Sequence, residues 1–240
     1  MAVCLQGGAE FGSRARGMDV RVLARAGAGP VVVTALAGAR GPEYETATAN
    51  GVRYYRSMGA SEVLGAPDAR VDDEGAYQAC RGARLLVLPG GSPARLLEAL
   101  SATSVGRAVR EVLAGGGSVS GSSAGAMVLG AWTVLPDGGR IEIAEGLGVV
   151  PWAVVIPHYR VGSPWLAPLR DELAGRGVGD ELAILGLPEQ SGVLVEGREM
   201  EALGSSSSHV VAAGSGVAYD LGPLSNATWP APSGERRTGE

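Results

Sequence analysis

The run Val119-Ser120-Gly121-Ser122-Ser123-Ala124-Gly125-Ala126 constrains this chain more than any other stretch. Small and β-branched residues lead into a Gly-x-Ser-x-Gly core, Gly121 to Gly125, and Ala126-Met127-Val128-Leu129 then reads as a helix. Strand, tight turn and helix in that order put a serine at the apex of the turn, with its hydroxyl above the end of a sheet. Glycines two residues before and two after Ser123 let neighbouring chain approach without a Cβ clash. The start of a helix also favours developing negative charge at that point. The plain alternative is a small-residue turn in a chain of 240 residues that holds 39 glycines. The rest of the chain has to decide between them.

Apolar runs and helical segments alternate on both sides of this stretch. Ala2 to Leu5 reads as a strand closed by Gly7-Gly8, with Glu10 and Phe11 following. Pro30 to Leu36 and Arg84 to Leu88 are continuous apolar runs, the pattern of strands covered on both faces. Pro89-Gly90-Gly91 stops the second of them, and Ser92 reads as the cap of the next helix. Segments 13–26, 42–58, 72–80, 94–100 and 104–113 carry helical spacing. The expected fold class is α/β, with one mostly parallel, doubly wound, flavodoxin-like sheet and helices on both faces. Sites in such sheets lie at the carboxyl ends of the strands. That rule brings Gly7-Gly8, Gly90-Gly91 and Ser123 to one edge.

Beyond the elbow helix, Val149 to Pro157 is strand-like and ends at His158. Ser163-Pro164 reads as the start of a helix running to Ala174, and Leu182 to Leu187 as a strand ending at Pro188-Glu189. Gly192 to Leu203 has the form of a hairpin. The division expected is one catalytic domain over residues 1–221 and a disordered tail over 222–240, rich in Pro, Gly and charge.

The formal net charge of −5 leaves no basic patch and argues against nucleic acid as the main partner. Cys4 and Cys80 are far apart and lack metal-ligand spacing, so each reads as a buried free thiol in a reducing cytoplasm. No apolar run has transmembrane length, and no membrane partner is expected. No cofactor or metal is called for. A homodimer is compatible with the chain.

A serine hydroxyl needs a base to take its proton and a third group to hold that base. Only two histidines are present. His158 closes an apolar strand in the layer where site residues belong, whereas His209 follows the polar run Ser205 to Ser208. Candidates for the third group are Glu189, at a strand's carboxyl end, Asp137, between Ser123 and His158, and Asp180, ahead of a strand. Position favours Glu189. The N–H groups of Ala124 and Gly91 are the natural pair of oxyanion donors. Gly90, Ser92, Ser122, Tyr159 and Arg160 are candidates for contacting substrate.

Taken together, Gly90-Gly91, Gly121-Ser-Ser123-Ala-Gly125-Ala126, Ile156-Pro157-His158-Tyr159 and Gly186-Leu187-Pro188-Glu189 resemble the dipeptidase E and cyanophycinase family of serine peptidases. The resemblance runs from Leu5 to about Gly214. It implies a class I glutamine-amidotransferase-like fold, Ser123 as nucleophile, His158 as base and Glu189 as third member, with Asp137 near an alternative carboxylate. The implied substrate is a short peptide or related amide.

The chain also departs from that family. Ser92-Pro93 follows the glycine pair where an Asn is usual, and Ile156-Pro157 replaces the Asp-Gln of cyanophycinases. Between Tyr159 and Arg170, where the family places arginines, only Arg160 and Arg170 are cationic. Cyanophycin hydrolysis is therefore not expected, and Trp165 and Leu166 point to a more apolar pocket. Two competing readings remain: an α/β-hydrolase-type esterase using Ser123, Asp180 and His209, and a non-catalytic binding domain that keeps the fold. A glutamine amidotransferase is disfavoured because the elbow carries Ser rather than Cys.

Overall fold

A computed structural model describes residues 2–137 and 140–230. The first half of the chain builds the parallel part of the larger sheet. Strands β1 (Ala2–Gln6), β2 (Val31–Val33), β3 (Val63–Gly65), β4 (Leu85–Leu88) and β5 (Ser118–Ser122) alternate with helices α1 (Arg16–Ala26), α2 (Pro42–Ser57), α3 (Asp73–Arg81), α4 (Pro93–Ala102) and α5 (Val105–Ala114). Their spatial order, β1-β5-β4-β2-β3, is parallel throughout.

Both faces of the central strands β2 and β4 are buried, which is why these two read as unbroken apolar runs. Val31, Val33, Leu85 and Val87 pack to one side with α1 and α2. Val32, Leu86 and Leu88 pack to the other, with buried residues of α3, α4 and α5. The period-two alternation is intact; it separates two cores instead of core and solvent.

The α/β class expected is the one observed, and the second half of the chain adds a second sheet to it. After α6 (Ala124–Leu129) come β6 (Gly130–Asp137), β7 (Arg140–Glu145), β8 (Val150–Ile156), α7 (Leu166–Gly175) and β9 (Ala183–Gly186). Then follow β10 (Ser191–Glu196), β11 (Glu199–Gly204), β12 (Ser208–Ala212), β13 (Ala218–Leu221) and β14 (Asn226–Thr228). Strands β10, β11 and β14 extend the larger sheet antiparallel beyond β1, whereas β13-β12-β9-β8-β6-β7 form a second, six-stranded sheet. With six residues, α6 is about 9 Å long. That is too short for the crossover a parallel neighbour of β5 would need, so β6 starts a new sheet.

Register fixes what leaves each sheet together. Gln6 pairs with Ser122, and Leu88 with Gly121, so the loops after β1, β4 and β5 emerge side by side. In the second sheet Ile156 pairs with Gly186, so the segments after β8 and β9 also leave as neighbours.

Two boundary expectations need correction. The tail does not begin at 222: β14 pairs with β11, and Trp229 is buried against Trp152 and donates its indole N–H to Glu181 O (3.1 Å). A polar, Pro-rich composition averages over the window and misses one buried indole that anchors it. Residues 231–240 lie outside the described residues. The helix expected from Ser163-Pro164 begins instead at Leu166. Ser163 N–H donates to Arg160 O, which makes 160–163 a turn ahead of the helix. Cys4 and Cys80 are buried free thiols, and burial pushes both up to about 12. No helix of the described residues is long and apolar enough to cross a membrane.

Candidate active site

Ser123 leaves β5 with φ 49° and ψ −111°. A residue with a Cβ reaches that region only under strain, on the order of 1–3 kcal/mol. The surroundings impose it. Ser123 N–H donates to Gln6 O, prolonging the β1–β5 ladder by one residue, and Ser123 O accepts the first helical bond from Met127 (both 3.0 Å). The helix can turn so abruptly because Gly125 lies directly on β4; a Cβ there would be 2.0 Å from Leu88 O.

His158 and Glu189 arrive on the two neighbouring exits of the second sheet, and the Gly7-Gly8 pair holds both. His158 N–H donates to Gly7 O (2.8 Å), and Gln190 N–H donates to Gly8 O (3.0 Å). His158 and Gln190 both have positive φ, 51° and 58°. Two adjacent carbonyls at the end of β1 thus tie the histidine segment and the glutamate segment to the sheet that carries Ser123.

The three side chains meet. Ser123 Oγ lies 2.9 Å from His158 Nε2, and His158 Nδ1 lies 3.0 Å from Glu189 Oε1. With the ring proton on Nδ1, that N–H donates to Glu189 and leaves Nε2 free to accept from the serine hydroxyl. Such a chain can move a proton from hydroxyl to imidazole while a carboxylate offsets the imidazolium charge. The His158 and Glu189 side chains are about half exposed, at 49% and 57%, so the site opens to solvent. The backbone of Asp137 closes β6; its side chain lies outside the described residues.

Ala124 N–H is at the first position of α6, where helix donors have no intrahelical partner. Gly91 borders the same cavity as Ser123 and His158. That cavity, of about 430 Å³, is also lined by Arg160 and Trp165.

The other substrate-contact candidates have different duties. Ser122 is buried and donates its hydroxyl to Glu10 Oε2 (2.9 Å). Ser92 caps α4, accepting from Arg95 N–H (3.3 Å). Tyr159 is buried and stacked on His209, with ring centroids 5.2 Å apart, and burial raises its hydroxyl pKa. Gly90 gives its N–H to Glu10 Oε1 (2.7 Å).

The esterase arrangement is not assembled. His209 is on β12, not in a turn, and its Nδ1 pairs with Asp220 Oδ1 at 2.7 Å. Asp180 Oδ1 accepts the N–H of Ser215 (2.7 Å), and that bond lowers the pKa of its carboxyl group. The carboxylate braces a loop and is spent there. The polar look of the Ser205–Ser208 run misled because β12 starts inside it, at Ser208, between two partner strands.

Glu10 is the residue that sequence reasoning passed over. Its two carboxylate oxygens join Gly90 N–H to the Ser122 hydroxyl, and so tie the glycine loop after β4 to the elbow. The available signal was an acidic residue directly after Gly7-Gly8, on a loop that exits beside β5. A buried polar cluster lies below: Gln6 Nε2 donates to Asp19 Oδ1 (2.7 Å) and Ser120 Oγ (3.1 Å), and Tyr54 OH donates to Asp19 Oδ2 (2.8 Å). Burial raises the Asp19 carboxyl above its ordinary value, against the lowering effect of the Tyr54 and Gln6 bonds. Among the described residues no group of three or more His, Cys, Asp or Glu is placed to hold a metal ion.

Comparison with known proteins agrees with this picture. The crystal structure of a peptidase from an acI-B1 Actinobacterium matches with a TM-score of 0.76 at 20% identity, covering 95% of this chain and 96% of that one. A crystal structure of a Listeria monocytogenes EGD-e protein assigned as a peptidase E matches with a TM-score of 0.59 at 15% identity, covering 85% of this chain and 98% of that one. At these identities the likeness is one of fold. No curated protein matches the chain. The model of peptidase family S51 matches residues 43–203, more than half of the sequence. This chain belongs to peptidase family S51 and is a peptidase.

Proposed function

We propose that the chain is a serine peptidase that cleaves a short peptide or related amide through an acyl-enzyme on Ser123. The observation that carries this reading is the unbroken hydrogen-bonded chain Ser123 Oγ–His158 Nε2 and His158 Nδ1–Glu189 Oε1. His158 Nε2 takes the hydroxyl proton as Ser123 Oγ attacks the carbonyl carbon. Glu189 keeps the ring in the acceptor tautomer and offsets the imidazolium charge. The tetrahedral oxyanion is stabilised by the N–H groups of Gly91 and Ala124. Collapse expels the amine, which leaves with the proton from His158. Water, deprotonated by the same imidazole, then attacks the ester and frees Ser123.

The test is labelling by a fluorophosphonate, mapped by peptide mass analysis, beside hydrolysis of a dipeptide set. Wild type is expected to carry the label on Ser123, and Ser123→Ala to lose both label and hydrolysis. His158→Ala retaining full hydrolysis would overturn the assignment.

A further inference from the structure

We propose that the cavity beside Ser123 is a subsite for a bulky apolar side chain on a residue flanking the scissile bond; this rests on Ser123 being the nucleophile. The cavity holds about 430 Å³ and opens onto Ser123, His158 and Gly91. Its walls are Met127, Val134, Val155, Ile156 and Trp165. The first four of these are buried. Met127, four residues after Ser123, lines the same cavity as Ser123. A space of this size takes a leucine or aromatic side chain with room for part of the backbone.

Charge narrows the occupant further. Among the described residues no Asp or Glu lines the cavity, and the cation there is Arg160. Among the described residues a lysine or arginine side chain would find no counter-charge there. Arg170 is not among the residues that line the cavity; its guanidinium donates to Ala213 O (3.1 Å) and Gly214 O (2.7 Å). Arg160 is exposed, on the turn in which Ser163 N–H donates to Arg160 O, so its charge stays hydrated. The interior therefore rewards apolar surface.

The experiment is a pair of dipeptide series, Xaa-Ala and Ala-Xaa, with Xaa as Leu, Phe, Ala, Asp and Lys. In one of the two series kcat/KM for Leu or Phe is expected to exceed that for Ala, Asp and Lys by roughly 10-fold or more, the range that apolar pockets reach. Trp165→Ala is expected to lower the Leu and Phe values at least 5-fold and to shrink their excess over the Ala value. Flat profiles in both series, or a preference for Asp, overturn the subsite. Calorimetric binding of the same peptides to Ser123→Ala separates the two claims. If the wild type carries no fluorophosphonate label but the variant binds Leu and Phe peptides above Asp and Lys, the nucleophile assignment fails and the apolar pocket stands. If the label is present and binding shows no such order, the subsite fails alone.

Discussion

The imidazole of His158 lies across Gly8 so closely that a methyl group at Gly8 would be 2.3 Å from His158 Cε1 and 2.8 Å from Nδ1. Gly8 also has φ +122°, a conformation that residues with a Cβ seldom adopt. The space that the histidine occupies is therefore made by the glycine loop that follows β1. Gly8→Ala is expected to displace the ring from Ser123 and lower kcat/KM by about 10²-fold, the scale of a 1 Å misplacement. Circular dichroism should show the fold retained. Unchanged kcat/KM in a folded Gly8→Ala enzyme would refute the role given to this contact.

The strained backbone at Ser123 makes a second expectation. Glycine reaches φ 49°, ψ −111° without the Cβ clash. Ser123→Gly should abolish hydrolysis and still stabilise the fold by about 1 kcal/mol, a rise in Tm of roughly 2–4 °C for a chain of this length. Thermal melts of the two proteins side by side decide it. A lower Tm in the variant would mean that the turn stores little strain.

Glu10 holds Gly90 N–H and the Ser122 hydroxyl in one carboxylate. Removing it frees the loop that carries Gly91. Glu10→Ala is expected to lower kcat by about 10-fold with KM changed far less, a smaller loss than the roughly 10²–10³ for deleting an oxyanion donor outright. Glu10→Gln keeps an acceptor for Gly90 N–H and should recover most of the rate. Steady-state kinetics on the two variants test this; equal losses in both would point to charge in place of positioning.

Asp19 makes stability depend on pH in a defined direction. Burial raises its pKa in the folded chain, so the folded protein binds this proton more tightly than the unfolded one. Its stabilising contribution is complete below the unfolded pKa of about 4 and is lost as pH rises through the higher folded value. The Tm of wild type relative to Asp19→Asn is thus expected to fall as pH is raised from about 4. Parallel Tm curves for the two proteins would contradict it.

Much of this molecule was legible in the sequence because the signals are local. The apolar runs at Val31–Val33 and Leu85–Leu88 announce strands covered on both faces, since each side chain must be apolar whichever way it points. The Gly-x-Ser-x-Gly core announces the elbow because Gly125 has to lie on Leu88. His158 and Glu189 were readable as strand-end residues, and the small number of histidines made the choice short.

Tertiary structure alone decided the rest, because it depends on which strand ends become neighbours. The second sheet follows from the length of α6 and from hairpins with no composition of their own. His209 looked like a loop residue until β9 and β13 flanked it and Asp220 took its Nδ1. Glu10, far from Gly90 and Ser122 in sequence, joins them only because β1, β4 and β5 end in register. Composition and local period can say that a serine stands on a turn. Which side chains reach it is set by long-range register, and no window along the chain contains that.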